Sequence, residues 1–443
     1  MTLNEVMARL GSDQRAGKKR IAALMLLLML MSATALAQDG PDPNRPGARE
    51  VIEYNVPDEV DIDYAVLDSI DTSTAEFGVV PLPADVGATL TGLFTKYTKH
   101  LAPNGKPIHI LGQAGVSELQ MVRAREILKY HLTDVPGTAY GSHKTDVANR
   151  MGDVRATLIY TDTQARAFAM YDILEPSDLA LQDLYATESP VEGDYIYLNN
   201  KAPEGGFFTR DASYEEIMHL VHSKAIEDEL PEYHAAIERA EQRAVDAGIY
   251  KYGSPAPHEY IISGFDIYFG LWDHDPQGDG TSYGDEYPYH TRAEMKEGDR
   301  PLYDAVVGFW PEYLTYNAYI DPSFDGTFAM VHEEGVEYTN KSRFLVQVTL
   351  TGDNDNNVFG NDQDNILTGN RGDNTITGGA GDDMIDGGSG LDRATFTGAR
   401  SEYRVETNGS TTTVADTVDG RDGSDELDGI EVLVFSDQEV QTN

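Results

Sequence analysis

The stretch DASYEEIMHLVHSKAI, residues 211–226, carries side chains whose types and spacing could bind a metal ion. If the stretch is helical, Glu215, His219 and His222 lie at positions i, i+4 and i+7 and share one face of the helix. Imidazole nitrogens and carboxylate oxygens are ligands of zinc and other transition metals. Glu216 precedes His219 by three residues and is its neighbour on the helix surface. The spacing therefore indicates a helix face able to hold a metal ion.

The same stretch is also compatible with an ordinary amphipathic helix. Ser213 and Glu216 have the spacing of a capping box, in which Glu216 would only cap the start of the helix. Ile217, Leu220 and Val221 would supply a core-facing stripe. The histidines would then be solvated or satisfied in the core, and the pattern alone leaves both interpretations open.

The elements needed to position this helix are visible on either side of it. Apolar runs at 106–111 and 155–161 predict strands, and helical periodicity follows Ser117, which can cap the segment ELQMVRAREILKYHL. Further helices are predicted at 231–249 and 257–272. The order of strands and helices predicts an α+β domain.

The segments GKPIHILGQAGVSELQMVRAREILKYHL and VRATLIYTD resemble the lead-in to a zincin-type metallopeptidase domain, in which a strand, a helix and an edge strand precede the metal-binding helix. The metal-binding helix of these enzymes reads H-E-x-x-H, and here it reads E-E-x-x-H. The resemblance implies that Glu216 is the general base and His219 a zinc ligand. Glu215 stands where the first histidine would be.

The segment HEYIISGFDIYFGLW resembles the following helix, which often carries the third ligand of such enzymes. The resemblance implies that this ligand is Glu259 or Asp266 and does not decide between them. The zinc set expected from the spacing and the resemblance together is Glu215, His219, His222 and Asp266. Zinc-dependent peptide hydrolysis is the activity that the resemblance implies. The alternative is a catalytically inactive central domain in a secreted adhesion or binding protein.

A second candidate site lies in an internal repeat near the C-terminus. Five units of nine residues run from 351 to 395, and the fourth reads GGAGDDMID. Glycines in the first half of each unit permit a tight turn, and an apolar residue at position eight predicts a short strand with one inward side chain. Carboxylate and carbonyl oxygens are the ligands that calcium prefers. Stacked units therefore predict a parallel β-roll with calcium bound at its turns.

This repeat resembles the repeat-in-toxin, or hemolysin-type, calcium-binding family, whose pattern G-G-x-G-x-D-x-U-x the fourth unit matches. In that family two units make one coil, which implies that Asn365 stacks on Asp383 and Asn374 on Asp392. Asparagine keeps a ligand oxygen and loses the charge, so we expect weaker binding at the asparagine units. The residues assigned to calcium by the resemblance are Asn365, Asn374, Gly378, Gly379, Gly381, Asp383, Gly387, Gly388, Gly390 and Asp392.

The fold class expected from these patterns is an α+β central zincin-like domain followed by a C-terminal parallel β-roll with a β cap. A basic start, a short apolar run and the sequence Ala35-Leu36-Ala37 predict a secretory signal peptide at 1–37. The expected domain bounds are an acidic, loosely packed linker or extension at 38–87, the central domain at 88–345, the roll at 346–395 and the cap at 396–443.

Composition restricts the partners and the location. The formal charge of −42 argues against binding to nucleic acid or anionic lipid and favours cations. The chain has no cysteine, so disulfides and cysteine-based zinc sites are excluded. We expect calcium ions and an extracellular protein or peptide as partners, and no membrane span in the mature chain. The expected location is outside a bacterial cell, with the periplasm or the cell surface as alternatives.

Overall fold

The structure is a computed structural model that describes residues 54–200, 211–252, 255–271 and 286–442. The expected signal peptide at 1–37 and residues 38–53 of the expected linker lie outside these ranges. Within them, no helix combines the length and apolar character needed to cross a membrane.

Helices alternate with strands in the first part of the chain and give way to short strands in the second. The helices are α1 Tyr64–Ser69, α2 Ala88–Leu93, α3 Glu118–Leu132, α4 Thr145–Asp153, α5 Gln164–Leu174, α6 Tyr195–Asn199, α7 Ser213–Val221, α8 Glu227–Glu229, α9 Pro231–Asp246, α10 Pro257–Tyr268, α11 Arg292–Gly298, α12 Arg300–Val307 and α13 Thr339–Ser342. The strands are β1 Val80–Pro81, β2 Lys96–Leu101, β3 Pro107–Gly112, β4 Ala156–Thr161, β5 Ala180–Tyr185, β6 Leu314–Ile320, β7 Thr327–Ala329, β8 Leu345–Leu350, β9 Asn357–Phe359, β10 Ile366–Thr368, β11 Thr375–Thr377, β12 Met384–Asp386, β13 Arg393–Thr395, β14 Tyr403–Asn408, β15 Thr411–Asp416, β16 Ser424–Asp428, β17 Val432–Val434 and β18 Glu439–Gln441.

The central domain is built on a five-stranded sheet in the order β1-β2-β3-β4-β5. Strands β3, β4 and β5 are parallel, whereas β1 and β2 are antiparallel to their neighbours. The predicted strands at 106–111 and 155–161 are confirmed as β3 and β4, and Ser117 caps α3 as expected, in a reciprocal box with Gln120. The zincin resemblance placed β4 at an edge of the sheet, and this was wrong, because β4 lies between β3 and β5.

Residues 54–87 pack more tightly than the loose extension expected from their acidic composition. Leu67 and Val86 are fully buried, and Ile70 is nearly so. They join a core cluster with Leu111 of β3 and Ile159 of β4 on one face of the sheet. The acidic residues alternate with apolar ones in this segment, so its apolar side can cover the sheet while its charges remain in solvent.

The roll consists of two sheets, between which successive strands alternate. One sheet has the order β14-β15-β16-β12-β10-β8-β6, and the other has the order β18-β17-β13-β11-β9-β7. The position-eight residues pack between them, and all are at most 3 % exposed, which confirms the inward position predicted from the repeat. These residues are Val358, Leu367, Ile376, Ile385 and Ala394.

The roll also extends further toward the N-terminus than the expected bound at 346. Strand β6 pairs in parallel with β8, and β7 pairs in parallel with β9, so residues 314–329 already belong to the two sheets. Buried residues of β6 share one continuous core cluster with the central domain. The Tyr316 hydroxyl of β6 donates to Glu192 at 2.7 Å and lies 2.6 Å from the Tyr214 hydroxyl of α7. The first strand of the roll is therefore packed directly against α7, the helix that carries Glu215, Glu216 and His219.

Candidate metal centres

Helix α7 begins at Ser213 without the capping box that its sequence allows. Its N-cap residue is Ala212, whose methyl side chain cannot accept a hydrogen bond from the helix. The Ser213 hydroxyl instead accepts a hydrogen bond from the Arg123 guanidinium at 2.7 Å. The Glu216 carboxylate accepts one from the Gln182 amide of β5 at 2.6 Å. Glu216 therefore points toward the sheet, and the interpretation that it only caps the helix was wrong.

Arg123 of α3 holds the N-terminal end of α7 in place through Asp211 and Ser213. It is 4 % exposed and forms ion pairs with Glu192 at 2.8 Å and with Asp211 at 2.7 Å. Asp211 also accepts a hydrogen bond from the backbone N–H of Ser213. Buried charges of opposite sign with good geometry hold one arrangement, because separating them would leave a charge unpaired in the core.

Two helices bring imidazoles and carboxylates together around His219. His219 Nδ1 lies 3.4 Å from the Glu216 carboxylate, and His219 Nε2 lies 3.7 Å from the Glu259 carboxylate. His258 Nε2 lies 3.7 Å from the other oxygen of Glu259. Two sets have ligand atoms within 4.8 Å of one another, His219 with His258 and Glu259, and His219 with Glu215 and Glu216. We call these residues the histidine cluster; either set could hold a metal ion.

The structure does not bring two of the expected zinc ligands into this cluster. A π-helical segment, His222–Ile226, follows α7 directly. His222 Nε2 lies 3.0 Å from His234 Nδ1 instead. Asp266 is fully buried in α10, seven residues after Glu259, which corresponds to about 10 Å along a helix axis. The expected set of Glu215, His219, His222 and Asp266 is therefore not assembled around one point.

His258 is the residue that sequence reasoning missed. The available signal was the His258-Glu259 pair in the first turn of a predicted helix, of which only Glu259 was considered. Burial and the neighbouring His219 ring lower the pKa of His258 to about 4. Burial also lowers the pKa of His222 well below its usual range. These imidazoles are therefore neutral at pH 7, which is the form that binds metals.

Asp183 of β5 is a buried carboxyl group close to Glu216 and His219 of the histidine cluster. The Tyr171 hydroxyl donates to Asp183 at 2.8 Å. Burial, followed by the Glu216 carboxylate, raises the pKa of Asp183. Two neighbouring carboxyl groups, Asp183 and Glu216, therefore lie on the side of the cluster that faces the sheet, and a cation bound beside them would relieve the repulsion between them.

The second candidate centre is formed by position six of the repeats, which stacks in two columns. In the first column the backbone N–H of Asn365 donates to Asp383 Oδ1 at 2.8 Å. In the second the backbone N–H of Asn374 donates to Asp392 Oδ1 at 2.7 Å. The pairs expected from the repeat are therefore stacked in the structure.

The asparagine and aspartate side chains in these columns differ in how many of their polar atoms form hydrogen bonds. Asn365 Oδ1 accepts from the Asn361 N–H at 2.9 Å, and its amide donates to Asn361 Oδ1 at 2.9 Å. Asn374 likewise uses both ends of its amide. In contrast, Asp383 Oδ2 and Asp392 Oδ2 are buried and have no hydrogen-bond partner among the described residues.

The carboxyl groups of Asp383 and Asp392 are therefore buried with one oxygen each that no hydrogen bond or ion pair among the described residues compensates. Burial raises the pKa of Asp383 to about 7 and that of Asp392 to about 6. A buried carboxylate without a partner is costly, and a calcium ion would provide both charge and coordination.

The glycines of the turns make room for these carboxylates. A Cβ atom at Gly378 would overlap Asp383 Oδ2, so only glycine fits at the start of that unit. Gly381 has a φ of +112°, which side chains rarely adopt, and faces the turn of the preceding coil. The other glycines assigned to calcium in these two units are Gly379, Gly387, Gly388 and Gly390, and of these Gly379, Gly388 and Gly390 also have positive φ.

Comparisons with known proteins bear on the roll. Residues 359–394 match the RTX calcium-binding nonapeptide repeat (4 copies). A comparison with curated proteins found no match. Among solved structures, the chain is similar to the crystal structure of the extracellular lipase LipA from Serratia marcescens, at 10 % identity and a TM-score of 0.18. That alignment covers 82 % of this chain and 62 % of the lipase chain, so the chain spans less than two thirds of it. At this TM-score the similarity does not establish a shared fold.

Proposed function

We propose that the protein is an exported calcium-binding protein whose C-terminal roll is stabilised by calcium. The observation that carries the proposal is a pair of buried oxygens, Asp383 Oδ2 and Asp392 Oδ2, which have no hydrogen-bond partner among the described residues. Both lie within the segment that matches calcium-binding repeats. Export is supported by the signal-peptide pattern at 1–37. Calcium outside cells is abundant enough to fill sites of modest affinity.

The test is a calcium titration of the full chain after dialysis against a chelator. We expect bound calcium by calorimetry, together with a higher resistance to urea and a gain of strand signal in circular dichroism. The double variant Asp383→Asn with Asp392→Asn should lose most of this response. A matched control, Asp382→Asn with Asp386→Asn, removes the same formal charge from exposed neighbours and should retain it. An equal response in both double variants contradicts the proposal.

The histidine cluster favours a second function, metal-dependent peptide hydrolysis. Two imidazoles and one carboxylate, His219, His258 and Glu259, match the three protein ligands of catalytic zinc sites. When bound there, zinc would lower the pKa of its water and polarise a substrate carbonyl. The side chains of His219 and Glu259 are 12 % and 19 % exposed, so the cluster is partly accessible to solvent.

Glu216 is the residue that would move the proton in this reaction. Gln182 holds one of its carboxylate oxygens, and that same oxygen lies 3.4 Å from His219. A carboxylate held beside a metal ligand can accept a proton from water and deliver it to a leaving amine. This role agrees with the one implied by the zincin resemblance, whereas the ligand set differs from the expected one at Glu215, His222 and Asp266.

Zinc content and casein cleavage separate this function from that of an inactive binding protein. Glu216→Gln should retain zinc and lose cleavage by about a hundredfold or more. His258→Ala should lose zinc as well as cleavage, while His290→Ala, outside the cluster, should change neither. Absence of both zinc and cleavage in the unmodified protein would leave the alternative of a calcium-stabilised adhesion or binding protein.

A further inference from the structure

A segment beyond the matched repeats has the same spacing as a repeat unit. Residues 420–428 read GRDGSDELD, and residues 378–386 read GGAGDDMID. The two share glycine at positions one and four, aspartate at positions six and nine, and an apolar residue at position eight. Asp425 thus corresponds to Asp383, and Leu427 corresponds to Ile385. The family match ends at residue 394 and does not include this segment.

The strand pairing places this segment in the roll as a unit of the same register. Strand β16 pairs in parallel with β12, with Leu427 opposite Ile385. Leu427 is 1 % exposed and occupies the inward position of the repeat. The pairs within the repeat are 18 residues apart, whereas Asp383 and Asp425 are 42 apart. The hairpin of β14 and β15 occupies the additional length.

The hydrogen bonds of the segment repeat those of the preceding coil. The N–H of Asp383 donates to Asp425 Oδ1 at 3.0 Å, as the N–H of Asn365 donates to Asp383 Oδ1 at 2.8 Å. The N–H of Ser424 donates to Asp382 Oδ1 at 2.9 Å, as that of Asp382 donates to Asp364 Oδ1 at 2.9 Å.

The turn of the segment is also built like the earlier turns. Gly423 has a φ of +77°, and a Cβ atom there would overlap the carbonyl oxygen of Gly381. Gly381 has the same relation to Gln363 one coil earlier. Two successive turns therefore approach so closely that only glycine fits at position four.

We propose that residues 420–428 are a further repeat unit and that Asp383 and Asp425 bind one calcium ion between their turns. Asp383 is 1 % exposed and Asp425 is 2 % exposed, so both carboxylates are out of solvent. Asp383 Oδ2 is a buried oxygen without a hydrogen-bond partner among the described residues. It is therefore available as a ligand for calcium, which binds oxygen atoms. This inference rests on the proposed calcium function and adds a ligand from the cap to it.

The test compares two variants on the same strand, Asp425→Asn and Asp428→Asn, in the full chain. The amide oxygen introduced by Asp425→Asn can still accept the bond from the Asp383 N–H, so the ladder is retained while one ligand charge is lost. Bound calcium per chain is counted by equilibrium dialysis and elemental analysis. We expect Asp425→Asn to lose one ion and Asp428→Asn, which changes an exposed residue, to lose none.

Each outcome decides the inference. Unchanged ion number and affinity in Asp425→Asn overturn it while leaving the proposed calcium function intact, whereas an absence of calcium from the unmodified protein overturns both. If Asp425→Asn does not fold, Asp425→Glu replaces it, because it keeps the charge and displaces the carboxylate by one methylene. Weaker binding of one ion in that variant supports the site, and unchanged binding overturns it.

Discussion

Replacing Asp383 by asparagine should stabilise the calcium-free protein while weakening its response to calcium. The change removes a buried charge whose second oxygen has no partner among the described residues. It also recreates the residue type found at Asn365 and Asn374, whose amides are satisfied at both ends. The new amide group would face the carbonyl of Asn365, just as the Asn374 amide donates to the Asn356 carbonyl at 2.9 Å.

The magnitude follows from the pKa of the carboxyl group. Burial raises the pKa of Asp383 from 3.8 to about 7, and each pKa unit corresponds to about 1.4 kcal/mol. Because the folded state holds the proton more tightly, calcium-free stability is fully present below the unfolded pKa and falls as the pH rises toward 7. At pH 8 we expect the variant to gain about 2 to 4 kcal/mol of unfolding free energy in chelator.

The assay is urea unfolding at pH 4 and pH 8, in chelator and in calcium. At pH 8 the variant should unfold at higher urea than the unmodified protein in chelator and gain less from calcium. At pH 4, where the carboxyl group is protonated in the folded protein, the advantage should shrink. A variant that is less stable than the unmodified protein in chelator at pH 8 would refute the reasoning.

Three further changes test other parts of the structure by their unfolding free energies. Gly423→Ala should destabilise the roll more than Gly409→Ala, because both have positive φ but only the first Cβ would overlap backbone; equal losses would contradict the close approach of the turns. Lys144→Met should stabilise the protein by a few kcal/mol at pH 7, because burial lowers the pKa of Lys144 to about 7. The gain in unfolding free energy should decrease as the pH rises toward 10, because Lys144 is then neutral in the folded protein. A gain that does not depend on pH would show that the buried charge of Lys144 is not its cause. Arg123→Met should cost about 3 to 5 kcal/mol by leaving two carboxylates buried, and a neutral result would show that they reach solvent.

The repeat was predictable because its information is local. A period of nine fixes which residue of each unit faces inward, and Leu367 and Ile376 are fully buried as the pattern requires. The stacking of Asn374 on Asp392 follows from two units per coil and is present in the structure. Helix α3 was likewise specified by its own cap at Ser117 and by its apolar spacing.

The start and end of the roll were not predictable in the same way. Strand β7 lacks the glycine pattern and pairs with β9 across 30 residues, so that its membership depends on tertiary contacts. Asp425 carries the repeat spacing, but the β14–β15 hairpin displaces it from the period. A periodic signal is lost wherever an insertion changes the interval between units.

The histidine cluster was predictable only in part, because ligand sets depend on how helices meet. His219 and Glu216 were identified from their spacing on one helix, and their side chains are neighbours. His222 Nε2 lies 3.0 Å from His234 Nδ1 of the neighbouring helix, a contact that the spacing within one helix does not anticipate. The approach of α10 selects His258 and Glu259 and leaves Asp266 out of the cluster.

The most direct test of the account is a crystal structure of the calcium-loaded protein with anomalous scattering data collected to locate the ions. We expect calcium peaks in the turns of the roll within bonding distance of Asp383 Oδ2 and Asp392 Oδ2, which are buried and have no hydrogen-bond partner in the part of the chain that the structure describes. A well-ordered roll without calcium at either aspartate would contradict the central claim.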